Sequence, residues 1–513
     1  MRTHHRTLWL VLLTVLCLTP IVIAAYPAIA QSGAGARLWL PLTIGGGDLS
    51  RPPASPTPPL DPTPPVGPPT PPPATPVATS VVPPSEARAY PRIHLPRLAA
   101  DVAWEETSVV WFGRITPSEN GVDARVGYTE DALLVRLSIY DRLLWYDADS
   151  PAADDLANWD AATVYLDTDP DPAAGIGEGA YRLTAQLRWW EDRAAYEATH
   201  RGADGGWQPA DLGVTSEAGY RGEGAPNSGG EARGWVLTWR IPFAGLGLPR
   251  PADGEQWGLA VAVHDRDAAS GAPNPDVVWP RAMHADDPRT WGAISFGLPA
   301  QGPASGAPGG TVTVRHGLNG AVVPDGHVGG GAVCGDGLDF WTAWGEANYA
   351  GAMPVNVQNQ DDIADWPCFS RYYVTFPLET VPAGKRVLSA TLTLRQMGSS
   401  MPDEAVPSLI QAFTVSEDWS EATLTWNNAP QARENLSRTW VDAIPFPEDW
   451  NALPAYTWDV TRAAAEAVAA GEPLRLALYS ADGAYHSGRH FVPSDTEDWN
   501  AANRPALTVV WGE

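Results

Sequence analysis

The 513-residue sequence predicts an all-β protein with two antiparallel β-sandwich modules that follow a signal peptide and a Pro-rich linker. Three observations predict this fold class. The chain contains 51 Pro and 49 Gly, which interrupt helices and supply turns. It contains 24 Trp, a residue type enriched in strands and at stacking surfaces. Several segments alternate apolar and polar residues with a period of two, which is typical of half-buried strands.

The first 30 residues have the features of a secretory signal peptide. A basic start precedes an apolar run from Leu8 to Ala25, and the small residues Ala28 and Ala30 follow at the positions of a cleavage site. We therefore expect a secreted protein, located outside the cell or at the cell surface. The alternative is an uncleaved membrane anchor, because the run is nearly long enough to span a bilayer.

Residues 31–87 are predicted to form a tether. A short apolar segment, Arg37–Ile44, has no function that the sequence assigns. The Pro/Thr-rich stretch Pro52–Pro84 cannot bury a core and favours extended polyproline II, so we expect a disordered linker. Composition becomes globular near Arg88, and a second Gly/Pro/Ala stretch at 299–310 marks a boundary. The predicted modules are therefore residues 88–298 and 311–513.

Both modules show the strand pattern. In the first, apolar residues alternate along Leu133–Ile139 and Trp257–Val263. In the second, they alternate along Val387–Leu394 and Leu507–Trp511. These segments predict half-buried strands in each module. One helix is predicted at Arg462–Ala470, capped by Asp459 or Thr461 and ended by Gly471.

The charge balance excludes some partners. The chain has 33 Lys and Arg against 60 Asp and Glu, a formal net charge of −27. Nucleic-acid binding and docking on an anionic membrane both need a basic surface, so we expect neither. An acidic protein is suited to holding divalent cations.

Two cysteines remain once the signal peptide and its Cys17 are removed. Because secreted proteins meet an oxidising environment, Cys334 and Cys368 are predicted to form a disulfide. The alternative is a pair of buried free thiols.

Four passages of the first module resemble the family-nine carbohydrate-binding modules: Asp123–Asp141, Asn158–Asp169, Trp235–Leu248 and Trp257–Gly297. The resemblance implies a β-sandwich that binds sugar between exposed Trp rings. Trp159 lies where the first such ring is expected. Further walls of the site are expected from Trp279, Trp291 or Trp145. The alternative for each of these residues is a place in the core.

Clustered carboxylates at the end of the Asn158–Asp169 passage, on a predicted turn, form a candidate metal site. Asp167, Asp169 and Asp171 alternate along the chain, and Glu178 follows. Calcium takes several oxygen ligands of this kind, so we expect a structural calcium ion here. The alternative is an acidic turn that only caps a strand.

The second module resembles the DNRLRE domains, relatives of the family-ninety-six carbohydrate-binding modules. The resemblance rests on five passages: Ser370–Leu394, Asp418–Pro430, Tyr456–Val468, Phe491–Asp495 and Asn503–Trp511. It implies a secreted, jelly-roll-like sandwich. The Gly-rich loop Cys334–Tyr349, next to the predicted disulfide, offers Trp341 and Trp344 as further sugar-binding candidates.

No known catalytic motif stands out in the sequence. A zinc-binding His-Glu-x-x-His helix, a Gly-x-Ser-x-Gly turn and a phosphate-binding Gly-rich loop are all missing. We therefore expect a monomeric, non-catalytic protein that binds a polysaccharide or cell-wall glycan. Two alternatives stay open: a structural or adhesive surface protein, and a polysaccharide lyase or glycoside hydrolase in one sandwich, since 60 acidic residues offer many carboxylate pairs.

Overall fold

The structure is a computed structural model that describes residues 91–149, 153–169, 175–188, 193–331, 334–360, 366–415 and 417–513. The described residues belong to one compact unit, Val81–Glu513. The predicted signal peptide (1–30), the predicted tether (31–87) and Asp171 lie outside the described residues. Among the helices of the described ranges, none has the length and apolar character needed to cross a bilayer.

Thirteen strands are described in the first module. They are β1 (Arg92–Leu95), β2 (Ser108–Thr116), β3 (Glu119–Tyr128), β4 (Ala132–Tyr140), β5 (Ala161–Asp167), β6 (Ala180–Gln186), β7 (Glu197–Ala203), β8 (Gly206–Pro209), β9 (Thr215–Tyr220), β10 (Trp235–Pro242), β11 (Gln256–His264), β12 (Val277–Trp279) and β13 (Gly292–Phe296).

The described part of the second module contains eleven strands and one α-helix. They are β14 (Pro308–Arg315), β15 (Asp325–Gly329), β16 (Val355–Val357), β17 (Ser370–Phe376), β18 (Arg386–Ser399), β19 (Ser408–Val415), β20 (Ala432–Val441), β21 (Ala455–Asp459), α1 (Thr461–Ala470), β22 (Leu474–Ser480), β23 (Arg489–Phe491) and β24 (Ala506–Gly512).

Short 3-10 helices connect these strands. They are Trp104–Glu106, Ala153–Asn158, Arg193–Tyr196, Phe243–Leu246, Pro288–Thr290, Leu318–Gly320, Cys334–Gly337, Trp344–Glu346, Trp450–Ala452 and Asp498–Asn503. The prediction of an all-β fold is thus confirmed, and the few helices do not change the class.

The first module is a sandwich of two layers. One layer is the antiparallel sheet in the order β2-β3-β4-β10-β9, and the other contains β13-β11-β5-β6-β7-β8. The predicted alternation on β4 places Leu133, Val135, Leu137 and Ile139 in the core between the layers, all without exposure to solvent. Burial of apolar side chains from both layers drives the packing of the layers.

The second module is also a sandwich. The strands β15-β17-β22-β19-β20 form one layer, and β14-β24-β18-β23-β16 form the other. Helix α1 packs Ala463 and Ala464 into the same core. Asp459 accepts the amide hydrogen of Thr461 at 2.9 Å, and Gly471 ends the helix in the left-handed conformation at φ 70°.

The two modules are joined into one body. Strand β1 pairs in parallel with β13 of the first module and, through Arg92 and Glu434, with β20 of the second. One sheet therefore runs through both modules. The stretch predicted as a second linker, 299–310, contributes Pro308–Gly310 to β14, which pairs with β24.

A mixed core fills the module interface, which we define as the contact between strands β2 and β3 of the first module and the second module. Trp111 of β2 lies 5.1 Å from Phe413 and 5.6 Å from Tyr479, measured between ring centroids. These rings belong to one buried hydrophobic cluster that draws residues from both modules. The second face of β2 is therefore buried, whereas in an isolated sandwich it would face solvent.

Polar groups also cross the module interface. Buried Arg125 of β3 donates to the carbonyl oxygens of Ala481 and Asp482, each at 2.9 Å. Asn427 forms two hydrogen bonds with the backbone of Ile115, at 2.8 and 3.0 Å. Directional bonds to buried backbone groups fix the relative orientation of the two modules.

Candidate functional site

Four of the six Trp residues expected to bind sugar are buried in the cores. Trp279, Trp291, Trp341 and Trp344 expose 8% of their surface or less, and Trp344 exposes none. Trp279 packs on Gly292, where a Cβ atom would come within 2.7 Å of the indole. Trp344 contacts Trp426 at a centroid distance of 4.8 Å. The expectation that these four rings offer open faces is therefore corrected: they are packing residues.

The other two candidates, Trp145 and Trp159, are partly exposed. The guanidinium of Arg266 lies 4.5 Å from the ring centroid of Trp159. The Arg266 Nε donates to the carbonyl of Asn158 at 2.6 Å, which holds the cation over the indole. One face of Trp159 is therefore occupied within the chain itself.

An open aromatic surface lies on the second module instead. We call it the Trp450–Trp499 pair. The two ring centroids are 5.8 Å apart and the ring planes meet at 79°. Trp499 is 65% exposed, the largest exposed fraction among the aromatic residues of the described ranges, and Trp450 is partly exposed.

The two rings are held from below by the module. Trp450 packs against Met397, Leu453 and Val492, a small apolar cluster beside β18 and β23. The amide of Asn503 donates to the carbonyl of Trp450 at 2.8 Å and so ties together the two 3-10 helices that carry the rings. This packing and this hydrogen bond hold the two rings in place before any ligand arrives, which lowers the entropic cost of binding.

Polar side chains border the pair. The indole N–H of Trp499 donates to the carboxylate of Glu497 at 2.9 Å. Asp449, Asn451 and Asp498 are exposed beside the rings in the sequence. These groups accept and donate hydrogen bonds, as ring hydroxyls of a sugar require.

The sequence carries a signal for this pair. The pentapeptide Glu-Asp-Trp-Asn-Ala occurs twice, at 448–452 and at 497–501, and each copy supplies one of the two rings. Trp450 is the first residue of one short 3-10 helix, and Trp499 is the second residue of another. The repeat is short, and only the fold shows that its two copies bring their Trp rings together.

A second constellation in the first module is a candidate metal centre, which we call the Asp triad. It consists of Asp141 after β4, Asp160 before β5 and Asp265 after β11. The three residues are buried, and one carboxylate oxygen from each lies within 4.8 Å of the others. No other group of three such ligands is found in the described part of the chain.

Burial and mutual repulsion perturb the carboxylates of the Asp triad. Burial, followed by the charge of Asp265, raises the pKa of Asp141 well above its usual value. Burial, followed by the charge of Asp141, does the same to Asp160, and burial raises the pKa of Asp265 to about 6. Hydrogen bonding by Trp235 to Asp141, and by Asn274 and Asn120 to Asp265, lowers the pKa of these carboxyls against the effect of burial. A group of oxygen-only donors suits calcium.

The structure describes only part of the metal site expected after β5. Asp171 lies outside the described residues, Asp167 is buried, and Asp169 and Glu178 are exposed. The carboxylate oxygens of Asp167, Asp169 and Glu178 do not lie close enough together to form a group of three metal ligands. The calcium loop at Asp167, Asp169, Asp171 and Glu178 therefore stays a prediction.

The predicted disulfide is present. Cys334 and Cys368 are bonded, with their Cα atoms 4.7 Å apart. The bond closes the loop that carries Trp341 and Trp344, whose rings pack inward against Phe340 and Phe369.

Comparison with known proteins gives a family match for part of the second module and low-scoring likenesses to solved structures. No curated protein matches the chain. Among solved structures, a family 9 carbohydrate-binding module from Caldicellulosiruptor kristjanssonii in complex with cellotriose is 16% identical, covering 41% of this chain and 95% of its own, with a TM-score of 0.29. Its complex with glucose gives the same identity and TM-score and covers 98% of that chain. A proposed carbohydrate-binding protein from Bacteroides uniformis is 14% identical, covering 40% of this chain and all of its own, with a TM-score of 0.31. At these TM-scores the likenesses carry no argument about function.

The family comparison covers the second module. Residues 342–509 match carbohydrate-binding module family 96. This segment runs from the loop beside the disulfide to the last strand and contains both rings of the Trp450–Trp499 pair. The second module is therefore similar to family 96 along most of its length, as its sequence motifs predict.

Proposed function

We propose that this chain is a secreted, non-catalytic protein that binds a polysaccharide or cell-wall glycan through the Trp450–Trp499 pair. The family 96 match of residues 342–509 supports a carbohydrate-binding function. The single observation that carries the choice of site is the 65% exposure of Trp499 beside a second, anchored indole. Secretion is supported by the signal-like residues 1–30 and by the disulfide, which persists in oxidising compartments.

The geometry suits a sugar ring. The apolar CH face of a pyranose stacks on a flat indole, and Trp499 offers such a face to solvent. Because Trp450 stands nearly perpendicular to it, at 79°, the two rings form a floor and a wall. Glu497 and Asp498 at the edge accept hydrogen bonds from hydroxyl groups. Sugar binding of this kind needs no reacting group.

The test is binding of the full chain and its Trp499→Ala variant to a panel of insoluble and soluble polysaccharides. We expect the substitution to weaken binding by about tenfold or more, which corresponds to ~1.4 kcal/mol. Its melting temperature should stay close to that of the parent, because the ring is mostly exposed and contributes little buried area.

Two further variants complete that test. Trp440→Ala is the matched control, since Trp440 is also an exposed Trp of the second module, at 45%, but lies on strand β20. It should bind as the parent does. Trp159→Ala reports whether the first module adds a site. Equal binding by the parent and Trp499→Ala would refute the Trp450–Trp499 pair as the site, and silence of the parent on every glycan would refute carbohydrate binding.

We also propose that the Asp triad holds a structural calcium ion. Three carboxylates buried together cannot all be ionised without a compensating charge. Asp160 accepts the backbone amide hydrogens of Trp145 and Arg266, at 2.6 and 2.8 Å, which fixes its carboxylate for ligation. A calcium ion bound there would connect the ends of β4, β5 and β11, and its role would be to stabilise the first module.

A further inference from the structure

A third aromatic residue continues the Trp450–Trp499 pair along the surface of the second module. Phe446, which precedes Trp450 in the same loop, is 51% exposed. Its ring lies directly on Gly398 of β18, where a Cβ atom would come within 2.9 Å of the ring carbons. The ring of His490 on β23 lies 5.4 Å away between centroids, with the ring planes at 32°. The sandwich therefore covers part of the Phe446 ring, and the rest is open to solvent.

The strand pair β18–β23 carries Phe446 and Trp450 side by side. Phe446 lies against His490, and Trp450 packs against the apolar cluster that contains Val492, two residues further along the chain. Because side chains two residues apart on an extended segment point to the same side, both rings lie on one face of the strand pair. Phe491 points the other way, into the hydrophobic core. The two supporting residues are about 7 Å apart, so the rings they carry are neighbours.

Buried side chains of β18 hold the loop that carries Phe446. The amide nitrogen of Gln396 donates to the carbonyl of Asp442 at 2.8 Å. The hydroxyl of Ser399 accepts the amide hydrogen of Ile444 at 3.0 Å. A ligand therefore meets a ring whose backbone is already fixed, which lowers the entropic cost of binding.

The segments that carry the three rings are acidic. Residues 442–453 and 492–503 contain six Asp or Glu and no Lys or Arg. Among the described residues, the Arg side chains that donate to these segments reach backbone carbonyls or Asp498, and they are Arg315, Arg395 and Arg504. The carboxylate of a uronic acid pairs with Arg or Lys and is repelled by Asp and Glu. The surface is therefore suited to an uncharged sugar.

We propose that the aromatic row, defined as Phe446, Trp450 and Trp499, binds an uncharged linear polysaccharide along its length and discriminates against polymers of uronic acids. This inference rests on the sugar-binding function proposed above for the Trp450–Trp499 pair, to which it adds a third ring and a ligand class. The rings offer apolar surface to successive sugar units, and the bordering carboxylates accept hydrogen bonds from hydroxyl groups. Because a short sugar covers only part of the row, affinity should rise with chain length.

The experiment measures binding of the full chain to polysaccharides and then to oligosaccharides of known length. Lichenan, arabinoxylan and glucomannan are the uncharged probes, and alginate and polygalacturonate are the uronate probes. Oligosaccharides from disaccharide to hexasaccharide are prepared from the uncharged polymer that the parent binds most tightly. Phe446→Ala and Phe446→Leu are the test variants, because leucine keeps an apolar cover over Gly398 but removes the flat ring. Trp440→Ala is the matched control, since Trp440 is exposed on β20 in the other layer.

We expect the parent to bind an uncharged polymer and neither uronate polymer, with an affinity that rises from disaccharide to hexasaccharide. Both Phe446 variants should weaken hexasaccharide binding by about three- to tenfold, because one stacked ring is lost, and should bind the disaccharide as the parent does. Trp440→Ala should match the parent for every ligand.

Three results would overturn the aromatic row while leaving the Trp450–Trp499 pair as a sugar site. One is unchanged hexasaccharide binding in both Phe446 variants although Trp499→Ala weakens it. Another is tighter binding of the parent to a uronate polymer than to any uncharged one. The third is equal affinity of the parent for disaccharide and hexasaccharide, a readout that needs no variant if the substitutions prevent folding. A parent that binds no probe would overturn the proposed function and this inference together.

Discussion

Removing the Arg125 side chain should destabilise the whole molecule. Arg125 is buried in the module interface and donates to the carbonyls of Ala481 and Asp482, both at 2.9 Å, and to Ser138 at 2.8 Å. Each hydrogen bond from a charged donor contributes about 1.5–3 kcal/mol, and Arg125→Ala also leaves two buried carbonyls of the second module without a donor. We therefore expect the free energy of unfolding to fall by about 3–5 kcal/mol, since the losses are not fully additive.

The assay is urea unfolding followed by Trp fluorescence and by far-UV circular dichroism. Because the interface is a shared core, both signals should report one transition that shifts as a whole in Arg125→Ala. Arg240→Ala is the control, since Arg240 pairs with Asp131 at the surface and such pairs contribute about 0–1 kcal/mol. A loss below about 1 kcal/mol in Arg125→Ala, or two transitions of which only one moves, would refute the joined-module reasoning.

Two further predictions concern buried carboxylates. A calcium chelator should lower the melting temperature of the parent, and added calcium should restore it. In Asp160→Asn the chelator should leave the melting temperature unchanged. An unchanged melting temperature in the parent would contradict calcium at the Asp triad. The second concerns Asp325, whose pKa is raised to about 7 by burial although it accepts hydrogen bonds from Tyr372 and Ser494. The folded state therefore binds more protons than the unfolded state between about pH 4 and pH 7, so this residue's contribution to stability falls as pH rises through that window. The free energy of unfolding, measured with urea across this pH range, should fall less in Asp325→Asn than in the parent. Parallel pH profiles of the two proteins would contradict this prediction.

The strands and the helix were predictable because their signals are local. Leu133 to Ile139 alternate because every second side chain of β4 enters the core. The joining of the modules was not predictable in the same way. Asp123 and Arg125 alternate with apolar residues on β3 and so resemble a solvent-facing row, yet both are buried. Their partners Tyr479 and Ala481 lie about 356 positions further along the chain, and nothing local in the sequence signals such a contact.

The sites were less predictable than the fold. An indole is apolar whether it lies in a core or at a binding surface, so composition did not separate Trp344, which is buried, from Trp499, which is open. The Asp triad has no local signal as a group, because its members lie at three strand ends far apart in the sequence, whereas Asp167 and Asp169 form a visible local pattern. In both cases the tertiary structure decides: it sets which Trp rings are exposed and which Asp residues meet.

The module interface also decides which aromatic residues can meet a ligand. Trp344 and Trp426 of the second module belong to the mixed core with Trp111 of the first, so the first module covers a surface that an isolated sandwich would expose. The guanidinium of Arg371 lies 3.7 Å from the ring centroid of Trp426 and 4.9 Å from that of Trp111, so it contacts the aromatic rings of both modules. The open aromatic surface is thereby reduced to the parts of the second module that face away from the interface. On that reasoning the module interface leaves the Trp450–Trp499 pair as an open aromatic surface, which is why we propose it as the sugar-binding site; family likeness alone would not select it.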